Sequence, residues 1–338
     1  MLVSPAALKA LGPDFAFKAV GAGPYKVVSW TKNSELVLER FDRYWRGPAA
    51  IARIVFRPIQ DEAVRLANLN AGTVQLIDGV PPQAVAELKA DPSVTLKDRP
   101  GIGFSAFSFN TKQPPFNDVR VRQAFSHAVD LETVLRVAYF GQGVVAAGAI
   151  APTVTWAYDD SLQAPQTDLE AAAKLLTEAG VVLPVPVVIT ASNAPVQVRI
   201  AEIIQAQANT AGFAVTIEQV DPTSLITLLR KGEFDLCFSP WSSRSDPDGN
   251  MFGWFTKGGP QNFSGYDSDE VDGILQKART SEVQADRAEL YRQAQRRISQ
   301  NAPMLFVMFP KTIQASAAAL DWEQYPDGSF RLQFTRFE

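Results

Sequence analysis

Few residues in this 338-residue chain could carry chemistry, and they are scattered. The single histidine, His127, rules out an HExxH pair or a multi-histidine metal site. The single cysteine, Cys237, rules out an internal disulfide framework or a multi-thiolate centre. Neither G-x-S-x-G nor G-x-x-x-x-G-K-[ST] occurs. His127, inside the helical stretch VRQAFSHAV, reads as structural, and Cys237, within the apolar run Phe234–Phe238, as a buried inert thiol. The pairs Gly21/Gly23 and Gly101/Gly103 lack the third glycine and the strand-to-helix setting of a dinucleotide fingerprint, so they read as turns. Asp246 and Asp248 could ligate a cation, yet SDPDGN is dense in turn formers and the turn is the better reading. What remains is Trp241 and Arg244, set in the loop that follows that apolar run. No catalytic constellation, cofactor site or metal site is expected, and the chain reads as something other than an enzyme.

The elements that position this loop follow from a repeated junction. EAGVVLP, TAGFAVTI and KGEFDLCF each place a glycine after a helical pattern and before a β-branched or aromatic run, which reads as helix stop, then strand. Apolar residues recur at helical spacing over Asp168–Ala179 and Pro195–Ala211. Strand and helix therefore alternate from about residue 167 to 240, which predicts βαβ units and an α/β sheet covered by helices. In such a sheet ligands gather beyond the carboxyl ends of the strands, so the loop after Phe234–Phe238 is where a ligand is expected.

Further helices are predicted over Asp269–Thr280 and Glu282–Gln300. The second carries Arg287, Arg292, Arg296 and Arg297, read as a solvated face, and Met304–Phe309 reads as a short buried strand. The first third differs in character, with a β-hairpin at YKVVSW and ELVLER, a strand at 52–59 and a helix at 61–72. This portion is an α+β mixture.

Composition narrows the partners. With 46% hydrophobic residues the chain can bury a large core, and its length favours about two domains. The balance of 32 Lys+Arg against 36 Asp+Glu, without a long block of one sign, argues against nucleic acid. No apolar run approaches the roughly 18 residues of a membrane span. The opening residues also lack the basic start and apolar stretch of a secretory signal, so this chain as it stands is expected to be cytoplasmic.

Several longer stretches, in order, resemble the peptide-binding group (family 5) of extracytoplasmic solute-binding proteins that serve ABC importers. They are GAGPYKV at 21–27, FDRYWRG at 41–47, FNTKQPPFNDVRVRQAFSHAVD at 109–130, the helix DLEAAAKLLTEAG and the SDPD loop. The resemblance implies a periplasmic-binding-protein-like (type II, cluster C) two-lobe α/β architecture. One lobe would be discontinuous, residues 1–108 plus 306–338, and an α/β lobe of 109–305 would be inserted into it.

The resemblance also implies a function: capture of a peptide-like or other small polar solute and delivery to membrane permease subunits, in the periplasm or at the cell surface. Trp241 matches a family tryptophan that lines the ligand pocket, and the expected binding set is Trp241, Ser242, Ser243, Arg244, Asp246 and Asn110. Arg244 departs from the family, which places an aspartate there to pair with the ammonium of a peptide. An arginine favours a carboxylate or phosphate instead. A second departure is that the family's signal and further N-terminal domain are not matched. The chain is therefore expected to be a fragment, a truncated product or one half of a split protein, with an exposed sheet edge that favours homo-oligomers. The alternative function is a non-binding structural domain that self-associates.

Overall fold

The computed structural model describes residues 2–242 and 244–338. The chain divides into two compact units, one made of residues 1–99 and 312–338 and the other of the contiguous stretch 100–311.

The first unit opens with helix α1 (Pro5–Leu11) and continues into strands β1 (Tyr25–Thr31), β2 (Glu35–Arg40) and β3 (Arg53–Phe56). These form an antiparallel three-stranded sheet in which the hairpin predicted from YKVVSW and ELVLER pairs Tyr25 with Arg40 and Thr31 with Glu35. Helix α2 (Glu62–Asn70) starts where the Asp61 carboxylate accepts the amide N–H of Val64, a side-chain cap. Strand β4 (Leu76–Asp78), helix α3 (Val85–Ala90) and strand β5 (Val94–Pro100) follow.

The second unit is built on a mixed sheet. Strand β6 (Ser105–Phe109) leads to helices α4 (Val119–His127) and α5 (Leu131–Ala138), then strand β7 (Gly143–Val145) and helix α6 (Leu169–Ala179). The predicted alternation is then observed: β8 (Val185–Ser192), α7 (Pro195–Thr210), β9 (Phe213–Val220), α8 (Pro222–Lys231) and β10 (Leu236–Phe238). Gly180 and Gly232 end α6 and α8 in the left-handed conformation, with φ of 70° and 68°, which a side chain would strain. β8 pairs in parallel with both β9 and β10, and β10 runs antiparallel to β6.

Three more helices, α9 (Asp248–Phe255), α10 (Asp269–Thr280) and α11 (Gln284–Asn301), precede strand β11 (Met304–Ala317). The first residues of β11 pair with β6, Met304 opposite Ser108, and its last ones with β4, Ala315 opposite Ile77. The short strands β12 (Leu320–Asp321) and β13 (Arg336–Phe337) close the first unit.

Alternation along the strands separates two layers of core in the second unit. Phe107, Phe109, Leu305 and Val307 point to one face, where α4, α5, α6 and α7 cover them; Phe104, Ala106, Met304 and Phe306 point to the other, against α9, α10 and α11. Cys237 is buried beside Leu225, Leu229 and Phe234, and burial raises its thiol pKa far above the ordinary range, which keeps it protonated and inert.

The arginines of α11 correct one expectation: they are anchors more than a solvated face. Arg292 donates to the carbonyls of Tyr158 and Trp156, Arg296 pairs with Asp159 at 2.7 Å, and Arg297 pairs with Glu270 at 2.8 Å. A guanidinium reaches several acceptors at once, so a pattern that reads as charged solvent contact ties the helix to its neighbours. The Asp159 side chain is only 2% exposed. Burial alone would raise its pKa, but hydrogen bonds from Arg296 and Ser161 and the charge of Arg296 hold it below the ordinary 3.8.

A depressed folded pKa means that this stabilisation is complete above pH 3.8 and is lost as pH falls through the lower folded value. Unfolding free energy measured by denaturant titration is therefore expected to fall below that pH by up to about 1.4 kcal/mol per pH unit for each such carboxylate. Asp159→Asn should flatten the fall; an unchanged slope in that variant would remove Asp159 from the account.

Candidate functional site

The loop after β10 is fixed at both ends. The chain leaves Phe238 and stays bonded to the neighbourhood of β6: the Ser239 N–H donates to the Ala106 carbonyl at 2.7 Å, and Trp241 and Phe104 exchange both backbone hydrogen bonds at 2.9 Å. This approach is close enough to demand glycine at 103, because a Cβ there would lie 2.7 Å from the Trp241 carbonyl oxygen. Of the Gly101/Gly103 pair, Gly103 thus marks a close approach of two backbones. The Trp241 ring packs edge-on to Trp254 at 5.4 Å, and Trp254 in turn packs on Phe104 and Phe263.

The far end is held by ion pairs. Asp246 pairs with Arg287 of α11 at 2.7 Å, and Asp248, in the first turn of α9, with Arg279 of α10 at 3.0 Å. Arg279 also lies 3.7 Å above the Phe252 ring. Burial would raise the Asp246 pKa, yet the hydrogen bonds from Arg287 and from the Asp248 N–H outweigh it and hold the carboxyl below its ordinary range. Those same bonds make Asp246 part of the frame, and its Oδ1 accepts the Asp248 N–H at 2.9 Å as a turn residue does. Among the described residues no group of three or more His, Cys, Asp or Glu side chains stands ready to hold a metal ion.

Between these ends the loop presents Trp241, half-buried, and Ser242 and Arg244, both exposed. The Arg244 guanidinium lies 4.7 Å above the Trp241 ring, and its Nη1 is 3.4 Å from the Ser242 hydroxyl. Ser243 lies outside the described residues. Asn110 is elsewhere, just past the other end of β6, six residues from Phe104 and so about 20 Å away along the strand. It is 4% exposed, and its amide nitrogen donates to the carbonyls of Gly232 and Phe234 at 3.0 and 2.9 Å, tying β6 to the turn before β10.

Sequence reasoning passed over Asn250. SDPDGN at 245–250 reads as a turn dense in Asp, Gly, Ser and Asn, and the one asparagine whose side chain organises the loop carries no distinguishing pattern. Chemically the loop offers an aromatic surface, a hydroxyl and a guanidinium. Those groups are suited to stacking and hydrogen bonding, and among the described residues of the loop they include no nucleophile paired with a base.

A mixed α/β sheet covered by helices, with a second unit interrupted by it in sequence, defines the class of type II periplasmic-binding-protein-like folds. Residues 3–263 match the family described as bacterial extracellular solute-binding proteins, family 5 Middle, and the chain belongs to that family.

Similar proteins include a dipeptide-binding protein of Escherichia coli, 30% identical over 299 residues, covering 85% of this chain and 55% of that one. A heme-binding protein A of Haemophilus influenzae is 31% identical over 299 residues, covering 85% and 54%. Among solved structures, the periplasmic binding protein DppA of Helicobacter pylori in complex with peptide STSA superposes with a TM-score of 0.90 at 26% identity, over 99% of this chain and 68% of that one. The chain thus spans about half the length of the curated relatives it matches. Among the described residues no helix is long and apolar enough to cross a membrane.

Proposed function

We propose that this chain is the solute-binding component of an ABC-type importer. It captures a peptide-like or other small polar solute without chemical change and delivers it to membrane permease subunits outside the cytoplasm. The observation that carries the reading is the family match over residues 3–263. Relatives named for dipeptide and glutathione binding, and the peptide complex of the Helicobacter pylori protein, support it. We place the solute at the loop of Trp241, Ser242 and Arg244. We take the unit of residues 1–99 with 312–338 as the discontinuous lobe expected at 1–108 with 306–338, and the unit of 100–311 as the inserted lobe expected at 109–305.

Calorimetric titration with peptide STSA tests the reading, together with thermal unfolding in its presence. A solute that binds only the folded chain contributes about 2.7 kcal/mol at a hundredfold excess over Kd. Neither heat nor stabilisation with that peptide, nor with a panel of dipeptides and glutathione, would end it.

A second reading, self-association, is favoured by one observation. The outer edge of β3 has no strand beside it among the described residues, and it borders a groove of about 670 Å³ lined by Trp30, Leu36, Phe56, Phe330 and Phe337. A homo-oligomer is expected at micromolar concentration, and light scattering that finds only a 36.9 kDa species over that range would count against it.

A further inference from the structure

Asn250 is 0% exposed, in the first turn of α9, and its whole amide is directed back into the loop. Its Oδ1 accepts the indole N–H of Trp241 at 3.1 Å and the backbone N–H of Arg244 at 2.6 Å, while its Nδ2 donates to the Arg244 carbonyl at 2.8 Å. One side chain therefore holds the indole on the near side of the turn and both backbone groups of the residue on the far side, much as a neighbouring strand would hold a peptide unit. In a water-poor setting each such bond is costly to leave unmade.

A second, independent feature supports the same arrangement. At Gly249 a Cβ would lie 2.7 Å from Cγ and 2.8 Å from Cβ of Arg244, so the residue next to Asn250 must lack a side chain for Arg244 to pack where it does. With Arg244 held there, its guanidinium settles over the Trp241 ring.

We infer that Asn250 is the positioning residue of the solute site. It fixes the plane of Trp241 and the backbone of Arg244, so solute affinity depends on a buried amide that itself meets no solute. The affinity half of this inference rests on the proposed binding function; the geometric half does not.

Indole ¹⁵N spectra of the full chain test it, with Trp241 assigned among the six tryptophans through Trp241→Phe. In Asn250→Leu the Trp241 indole resonance should shift and exchange with water at least about tenfold faster, the tryptophans other than its ring neighbour Trp254 staying in place. The Kd for peptide STSA should rise about tenfold, the worth of one such bond. Asn250→Asp keeps the acceptor for the indole, so it should retain the Trp241 resonance and lose less affinity. Should Asn250→Leu fail to fold, Asn250→Asp and Gly249→Ala carry the same two readouts, Gly249→Ala moving Arg244 and weakening the peptide without altering the amide.

An unmoved Trp241 resonance in Asn250→Leu overturns the inference, and so does a moved resonance with wild-type affinity. A wild type that binds no peptide fails the proposed function instead, and the positioning role then stands or falls on the indole exchange.

Discussion

Arg122→Leu is expected to destabilise the contiguous unit by about 3–5 kcal/mol, since it strips the donors from several buried carbonyls at about 1–3 kcal/mol each. The Arg122 residue is 6% exposed. Its guanidinium donates to Asn301 O at 2.6 Å, Ala302 O at 3.0 Å and Phe116 O at 2.7 Å. Two of these carbonyls belong to the C-terminal end of α11, where Ala302 turns left-handed with φ of 44°, so the cation also faces the negative end of the helix dipole. Burial lowers the pKa of this arginine, and the nearby Asp118 partly offsets that effect.

Arg122→Lys keeps the charge but not the planar fork and should fall between wild type and Arg122→Leu. Denaturant midpoints at constant slope provide the measurement. A loss below about 1 kcal/mol in Arg122→Leu would mean that water replaces the lost donors and that the arginine is dispensable.

The second large effect concerns the charge of the solute. Arg244→Ala is expected to weaken an anionic solute at least about thirtyfold, because truncating one partner of a desolvated charge pair costs about 2–5 kcal/mol and each 1.4 kcal/mol is tenfold. The guanidinium is stacked on the Trp241 ring, with the backbone of its residue held by the Asn250 amide, so little ordering remains to oppose binding. Arg244→Asp should go further and favour peptides with a free amino end. Titrating wild type and both variants with peptide STSA and its N-acetylated counterpart separates the cases. If wild type prefers the free amine and Arg244→Ala changes neither affinity, the guanidinium plays no part in selecting solutes.

Much of this arrangement is legible in the amino-acid order. Helix α6 announces itself through Asp168, whose carboxylate accepts the Ala171 N–H, and through Gly180 at its end. The apolar run at 234–238 does give a buried strand, and the loop after it does carry the half-buried Trp241.

The parts that escape are those where side chains act at a distance in sequence. Helix α9 hides behind SDPDGN because two glycines and a proline outweigh, in any local reading, the packing of Met251, Trp254 and Phe255 that sustains it. Strand β11 runs to Ala317, well beyond the apolar stretch 304–309, since Gln314 and Ser316 are buried polar residues in the ladder with β4 and break the expected pattern. Arg287 reads as solvent-facing because its partner Asp246 is about forty residues away in the sequence.

The late return of β11 also orders events in time as the chain is made. The core beneath α2 and α3, built on Leu69, Ile77, Val85 and Leu88, is completed by Ile313 and Ala315, which follow the whole contiguous unit of residues 100–311. At about 5–20 residues per second the roughly 210 intervening residues take ~10–40 s to emerge from the ribosome. Throughout that interval the residues of this core already made keep an unfilled hydrophobic surface that Ile313 and Ala315 cover later, so a chaperone has a defined window in which to hold it.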